Sequence, residues 1–160
     1  MTPALAERPL TEEVPSFTIE EAQPSEALVT LPYWRVKVEP WAPEWVQSCL
    51  QRIRGFLDHE EGWDSYDGRP LTKEALRKGL AVLAFIEAYG LPAPFVAPTS
   101  SGGILFEWQR EDIDAQLEVG PGGEVSLYLL RPDGSEEEIP DQEDVTVALD
   151  KLSAEMRCYP

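Results

Sequence analysis

The chain has 160 residues, which is the size of one domain around a single hydrophobic core. Thirty Asp and Glu residues against thirteen Lys and Arg residues give a formal charge of −17. A surface of that charge repels phosphate backbones and anionic lipids, so ordinary nucleic-acid binding and membrane binding are disfavoured, whereas a basic protein partner or a divalent cation is attracted.

Cysteine usage and hydropathy predict a cytoplasmic protein. Cys49 lies in a predicted helix and Cys158 near the C-terminus, which is not the pattern of a disulfide framework. Residues 1–20 lack the apolar core of a signal peptide, and the longest apolar run, 80–86, is far shorter than a membrane span. No cofactor is predicted, because the sequence has no P-loop, dinucleotide fingerprint, CxxC pair or serine nucleophile elbow.

Residues 1–31 are predicted to form a flexible, acidic, proline-rich arm. They mix Pro, Glu, Ser and Thr with isolated apolar residues, and they show neither a helical nor a strand period. Phe17 and Ile19 in this arm are candidate anchors for a strand or groove of a partner. The folded domain is predicted over residues 32–160.

The predicted domain begins with a short strand and two helices. Apolar and polar residues alternate over 33–39, which indicates a strand. A first helix begins at Pro43, a residue that suits the first helical turn, and continues to about His59. Thr72 is expected to cap a second helix, and Gly90 to end it in the left-handed conformation.

Residues 95–139 predict an antiparallel meander. Apolar residues alternate with polar ones over 104–109, 113–119 and 125–129, and glycine-rich turns separate these segments. Asp141 is expected to cap a closing helix. Together these elements predict an α+β domain, in which an antiparallel sheet of three to five strands packs with about three helices and a short N-terminal strand.

The segment GWDSYDGRPLT, residues 62–72, joins the two predicted helices. Aromatic residues in such a turn usually cover the edge of the core, so Trp63 and Tyr66 are predicted to fold back. Asp64 and Thr72 then complete a structural joint. If both rings were exposed, they would instead form an anchor for a partner.

The same region also permits a metal-binding hypothesis. His59, Glu61 and Asp64 offer an imidazole and two carboxylates to zinc or another divalent ion, and neighbouring carboxylates can divide acid and base roles between them. The spacing matches no established metal motif, and the chain has one histidine. A metal-dependent hydrolase using these three residues is therefore kept only as an alternative function.

The strongest local charge bias lies in the predicted sheet region. Residues 107–144 contain thirteen acidic residues against two basic ones, Arg110 and Arg131. A solvated sheet face is the simplest interpretation, and a surface that binds a basic protein is the functional one. The candidate partner-binding residues on that surface are Glu107, Asp114, Gln116, Glu118, Glu124 and Tyr128.

A family resemblance extends over residues 60–130. The segments GWDSYDGRPLTKEAL, LPAPFVAPTSSGGILFEW and DIDAQLEVGPGGEVSLYLL resemble a group of small bacterial and mobile-element proteins of uncharacterised function. Those proteins share a GWDxY turn before a helix and a glycine-led strand that ends in Glu-Trp, and they usually have a small residue at the position of Asp67. The matching residues are Gly62, Trp63, Asp64, Tyr66, Glu107 and Trp108. The resemblance implies a shared scaffold and no known activity.

The charge, the arm and the lack of catalytic motifs favour a non-enzymatic function. The chain is predicted to be an acidic binding or accessory protein whose partner is a protein with a basic surface. An inhibitor, an antitoxin-like factor and a component of a bacterial defence or counter-defence assembly all fit this description. A further alternative is mimicry of nucleic acid in front of a basic enzyme.

Overall fold

A five-stranded antiparallel sheet packed against helices is the centre of the fold. The computed structural model of the chain describes residues 16–21, 29–31, 33–111, 113–142 and 144–158. The elements in chain order are β1 (Phe17–Glu21), β2 (Val29–Thr30), β3 (Trp34–Val38), α1 (Glu44–Phe56), α2 (Lys73–Ala88), β4 (Phe95–Pro98), β5 (Ile104–Arg110), β6 (Ile113–Val119), β7 (Val125–Leu130), β8 (Glu136–Gln142) and α3 (Val145–Cys158). They confirm the predicted α+β class. Among the described residues, no helix has both the length and the hydrophobicity needed to cross a bilayer.

The large sheet is a meander, in which each strand pairs with its neighbours in the sequence. Its order is β4-β5-β6-β7-β8, and all four pairings are antiparallel. Because side chains alternate across a strand, each strand has one apolar and one polar face. The apolar face contacts α2 and α3. Ile104, Phe106, Leu117 and Leu127 are among its completely buried side chains.

A second sheet, of three strands, precedes the helices. Its order is β1-β3-β2, with both pairings antiparallel. Residues 17–21 and 29–30 lie in the segment that was predicted to be a flexible arm. Because both segments pair with β3, the folded part of the chain begins before residue 32. The sequence period does not reveal these strands, because β2 has two residues and β1 contributes two apolar side chains. Their hydrogen bonds come from pairing with β3, which lies further along the chain.

Phe17 attaches β1 to the rest of the domain. Its side chain is 3% exposed and lies in the same hydrophobic cluster as the apolar residues of α1. The Ser16 hydroxyl donates a hydrogen bond to the Glu87 carboxylate in α2. Phe17 is therefore covered by this chain's own residues, whereas Ile19 is 39% exposed. The remainder of the predicted arm, 1–15 and 22–28, lies outside the described residues.

Helix α2 has the two caps that the sequence predicts. Thr72 Oγ1 accepts a hydrogen bond from the Ala75 backbone N–H at 3.1 Å, which satisfies one of the free donors of the first turn. At the other end Gly90 has a φ of 67°. The Leu91 N–H then reaches back to the Ile86 carbonyl at 3.1 Å, completing a Schellman motif.

The predicted cap of the closing helix is wrong by three residues. Strand β8 continues to Gln142, so Asp141 lies in the strand. Asp144 caps α3 instead, because its Oδ1 accepts a hydrogen bond from the Thr146 N–H at 2.9 Å. Hydrogen bonds from the Thr146 side chain and backbone hold the pKa of Asp144 below its usual value. Capping preference alone does not distinguish two aspartates so close together.

An ionic cluster attaches α3 to the hairpin of β7 and β8. Arg131 donates to both carboxylate oxygens of Glu155, at 2.6 and 3.1 Å, and it also contacts Glu137. Lys151 Nζ lies 3.2 Å from a Glu137 oxygen. Hydrogen bonds from Arg131 lower the pKa of both glutamates. The side chains of Arg131 and Glu155 are mostly buried, so salt screens this pair less than an exposed one.

Removal of the Thr72 hydroxyl tests the start of α2. Thr72→Ala removes the bond from the Ala75 N–H and the bond that the hydroxyl donates to the Pro121 carbonyl at 2.6 Å. We expect the free energy of unfolding, measured by urea denaturation, to fall by about 1–2 kcal/mol. Ser48→Ala removes an exposed hydroxyl bonded to the Glu44 carbonyl and should change it by less than about 0.5 kcal/mol. Equal effects of the two substitutions would contradict the capping role.

The ionic cluster predicts a pH-dependent contribution to stability. A glutamate whose folded pKa is lowered stabilises the fold above its unfolded pKa, and this contribution is lost as the pH falls through the folded pKa. The wild-type protein should therefore lose its advantage over Glu155→Gln as the pH falls below about 4.5. Urea denaturation of both proteins at neutral pH and in acidic steps measures the difference.

Glu138→Gln is the matched control for this experiment, since it changes one exposed glutamate of β8 that has no ion pair within the described residues. Its stability relative to wild type should change little with pH. A pH-independent difference between wild type and Glu155→Gln would show that the ionised pair does not stabilise the fold.

Candidate functional site: the outer face of the sheet and the joint loop

The polar side of the five-stranded sheet, called the outer face below, lies opposite the helices. Cross-strand pairing arranges its residues in three rows that run across the strands. The rows are Ala97, Leu105, Glu118 and Ser126; then Phe95, Glu107, Gln116, Tyr128 and Glu138; then Gln109, Asp114, Leu130 and Glu136. Every one of these side chains is exposed or half-buried. The outer face is therefore open to solvent in the described structure.

Hydrogen bonds connect polar side chains across neighbouring strands of the outer face. Gln116 Nε2 donates to Glu107 Oε1 at 3.3 Å. The pKa of Tyr128 is raised by partial burial, by its hydrogen bond with Glu136, and by the negative charges of Glu136 and Asp114. These carboxylates disfavour the ionised phenolate, so the neutral phenol is the form that lies beside them.

Five carboxylates of the outer face have no ion pair within the described residues: Glu107, Asp114, Glu118, Glu136 and Glu138. The ion pairs of the described structure involve Lys37, Arg131 and Lys151, which lie elsewhere. Like charges on neighbouring strands repel each other, so the isolated fold gains no ion-pair stabilisation from this arrangement. The face consequently has a negative potential that an external cation can neutralise.

Most of the predicted sheet residues occur together on this face. Glu107, Asp114, Gln116, Glu118 and Tyr128 all belong to the three rows. Glu124 does not, because it lies in the turn before β7 with its carboxylate folded over the glycines of that turn. Phe17 and Ile19 belong to the other sheet.

Sequence reasoning missed several members of the outer face. Phe95 lies in a four-residue strand that is too short to show which face it presents. Glu136 and Glu138 were not among the predicted partner-binding residues. Their place opposite Leu130 and Tyr128 depends on the register of the last hairpin. Residues 136–138 are three consecutive glutamates and show no alternation, so only the pairing shows which of them faces solvent beside Tyr128.

The GWDSYDG loop closes on itself through hydrogen bonds. The Gly62 N–H donates to the Gly68 carbonyl at 2.7 Å. Asp64 Oδ1 accepts from the backbone N–H groups of Tyr66 and Gly68, both at 2.9 Å. Ser65 has a φ of 69°, in the left-handed region that non-glycine residues rarely occupy. Backbone and carboxylate contacts thus determine the shape of the loop.

Trp63 folds back toward the domain, as predicted. Its ring stacks on His59, with ring centroids 4.5 Å apart and an angle of 15° between the planes. Its Nε1 donates to the Arg69 carbonyl at 3.0 Å. His59 also lies beside Phe56, at the end of α1, with centroids 6.0 Å apart. These contacts attach the loop to the end of the first helix.

The same segment is bonded to two turns of the large sheet. The Arg69 N–H donates to the Ser100 carbonyl at 2.9 Å, and the Thr72 N–H to the Gly102 carbonyl at 3.1 Å. The Thr72 hydroxyl also donates to the Pro121 carbonyl at 2.6 Å. Residues 62–72, called the joint below, therefore hold the start of α2 against the β4–β5 and β6–β7 turns.

His59, Glu61 and Asp64 are not assembled into a metal site. In the described part of the chain, no three His, Cys, Asp or Glu side chains are placed to hold a metal ion together. Asp64 already accepts two backbone hydrogen bonds. The His59 ring stacks between aromatic neighbours, and its buried Nδ1 has no hydrogen-bond partner within the described residues. These contacts are structural.

Tyr66 does not fold back with Trp63. Its side chain is 84% exposed, the highest value among the large apolar and aromatic residues exposed in the described structure. The reason lies in how the loop closes: the Asp64 carboxylate and backbone groups supply its hydrogen bonds, and none of them uses the phenol ring. The expectation that both rings cover the core edge therefore holds for Trp63 alone.

Comparison of the chain with protein-family models, with curated proteins and with solved structures gave no match. The resemblance to the GWDxY proteins thus stays a prediction. Function has to be argued from the outer face and the joint themselves.

Asp64→Ala tests the structural role of the loop. The substitution leaves the Tyr66 and Gly68 N–H groups without their acceptor, so the free energy of unfolding should fall by about 1–3 kcal/mol. Asp64→Asn keeps a side-chain oxygen and should cost less. Asp67→Ala removes an exposed carboxylate of the same loop and should change the value by less than about 0.5 kcal/mol. Urea denaturation measures the free energy of unfolding of each variant. Equal losses for Asp64→Ala and Asp67→Ala would show that Asp64 does not stabilise the loop.

Proposed function

We propose that this chain is a non-enzymatic acidic protein that binds a basic surface of a protein partner through the outer face of its large sheet. The observation that carries this proposal is the set of five outer-face carboxylates without an ion pair in the described structure. A partner's Lys and Arg side chains would supply the cations that pair with these carboxylates.

The outer face combines charge with groups suited to a protein interface. Gln116 and Tyr128 offer neutral hydrogen-bonding groups, and Leu105 and Leu130 offer half-exposed apolar area beside the carboxylates. Arginine is frequent in protein interfaces because its guanidinium binds carboxylates and stacks on aromatic rings. The mixture favours a protein over a free cation as the ligand.

The size of the face sets the expected affinity. Five strands that are spaced about 4.8 Å apart and are about 20 Å long give the sheet a projected area on the order of 400 Å². A stable interface usually buries about 800 Å² on each partner. Binding through the outer face alone is therefore expected to be weak, fast and sensitive to salt.

The edges of the sheet favour binding on its face. A partner strand could add only to β4 or β8, the two edge strands. Pro98 lies in β4, and α1 packs against that strand. Strand β8 contains three consecutive glutamates and a proline. Prolines, charges and covering elements all oppose strand addition.

The alternative functions receive less support. The hydrolase hypothesis lacks a gathered set of ligands among the described residues. Nucleic-acid mimicry is a special case of the proposed function, since it also requires a basic partner. It makes the further claim that DNA or RNA occupies the same surface of that partner. A partner that binds the chain and a nucleic acid at once would exclude mimicry and leave the proposed function intact.

Neutralisation of the outer face tests the proposal. The variant Glu107→Gln, Asp114→Asn, Glu118→Gln removes three charges and keeps the shape of the side chains. Immobilised full-length protein should retain a partner from a lysate of its own cells at about 0.1 M salt and release it at about 1 M, where the Debye length falls to about 3 Å. The variant should bind the purified partner at least about 10-fold more weakly than wild type.

A matched control separates this surface from net charge. Glu44→Gln, Asp58→Asn, Glu74→Gln removes three exposed carboxylates at other positions. It should keep the wild-type affinity within about 2-fold, measured by titration calorimetry. Retention of the partner by the outer-face variant at wild-type affinity, or equal weakening by the control, would overturn the proposal.

A further inference from the structure

Tyr66 is the residue of the joint whose side chain lies in solvent instead of packing on the domain. Its side chain is 84% exposed, and within the described residues it makes no hydrogen bond, ion pair or ring contact. Its backbone N–H, by contrast, is bonded to Asp64. The structure thus fixes the position of the residue and leaves the ring free.

The backbone on both sides of Tyr66 is held in place. The left-handed Ser65 precedes it, and the bond between the Gly62 N–H and the Gly68 carbonyl closes the loop around it. The Trp63 ring then attaches the loop to His59 and the Arg69 carbonyl. A tyrosine on a fixed backbone has two side-chain torsions left to order on binding, so little conformational entropy is lost.

We infer that Tyr66 is a preformed anchor for a protein partner and inserts its phenol ring into an apolar pocket that has Lys or Arg side chains at its rim. Aromatic anchors seated in pockets dominate the energy of many protein interfaces. The rim chemistry follows from charge complementarity: the exposed Glu60 and Glu61 precede the loop and the exposed Asp67 follows Tyr66 directly, whereas Arg69 is the one cation within residues 60–69. A neutral or acidic rim would meet these carboxylates unfavourably.

Other exposed aromatic residues differ in their surroundings. The Lys73 ammonium lies 4.7 Å from the centroid of the Tyr33 ring, in a cation–π contact. The Arg52 guanidinium lies 4.4 Å from the centroid of the Phe95 ring in the same way. Trp41 is 59% exposed and makes no side-chain contact of these kinds in the described structure. It lies in the turn before α1, whose backbone has no closing side-chain bond comparable to that of Asp64. Trp41 is therefore the comparison residue.

This inference does not require the outer face to bind. The joint nevertheless lies at one end of the large sheet, because Arg69 and Thr72 are bonded to the β4–β5 and β6–β7 turns. Glu118 belongs to the row nearest those turns. A partner on the outer face could reach the loop, which would add area that the face alone lacks.

Site-specific photocrosslinking tests the anchor. A benzophenone amino acid replaces Tyr66 in the full-length protein, and Trp41 in a control protein, in cells that make the chain. The expected result is one crosslinked protein from position 66 that is absent from position 41. No crosslink from position 66, or the same products from both positions, would overturn the inference.

Affinity for the crosslinked protein, once purified, gives the decisive reading. Tyr66→Ala should weaken binding by about 30-fold, as expected for a hot-spot residue, and Tyr66→Phe by less than about 10-fold because it keeps the ring. Trp41→Ala should stay within about 2-fold of wild type. Since the phenol ring makes no hydrogen bond, ion pair or ring contact within the described residues, thermal unfolding should show Tyr66→Ala as stable as wild type. An affinity for Tyr66→Ala within about 2-fold of wild type would refute the anchor, even if the outer-face variant lost binding.

Discussion

Side chains alternate between the two faces of a β-strand, and in the large sheet this constraint links the core to the charged surface. Burial of Phe106, Leu117 and Leu127 against the helices directs their sequence neighbours to solvent. A slip of one residue in β5 or β6 would exchange the two sets, placing carboxylates in the core. The outer face is consequently produced by the same register that forms the core. Its five carboxylates, which have no ion pair within the described residues, take their relative positions across the strands from this register.

In the joint, most side chains make contacts within the chain, and one side chain remains exposed. Asp64, Trp63 and Thr72 are occupied by contacts within the chain, and they connect the end of α1, the start of α2 and two turns of the sheet. Tyr66 lies among them, but its side chain makes no hydrogen bond, ion pair or ring contact within the described residues. Stability and the proposed binding thus belong to different side chains of one short segment. On the sheet they belong to opposite faces of the same strands. In both places a surface residue can change its chemistry without weakening the core.

Sequence patterns predicted those elements whose signals are local. Thr72 and Gly90 mark the ends of α2 because capping acts within one helical turn, and alternation identified β5, β6 and β7. The features that were missed depend on distant partners. Strand β1 exists because β3 pairs with it, and Glu138 faces solvent beside Tyr128 because of a hairpin register. The outward direction of Tyr66 was equally hidden, since it follows from hydrogen bonds that close the loop without its ring.

The contacts of the joint fall into two ranges of sequence separation. The bonds that close the loop around Tyr66 join residues close together in the sequence. The Thr72 hydroxyl and the Pro121 carbonyl, by contrast, are 49 residues apart in the chain. A contact of such separation has a larger loop-closure cost than a local one. The shape of the loop is therefore encoded locally, whereas its attachment to the sheet requires the turns that contain Ser100 and Pro121.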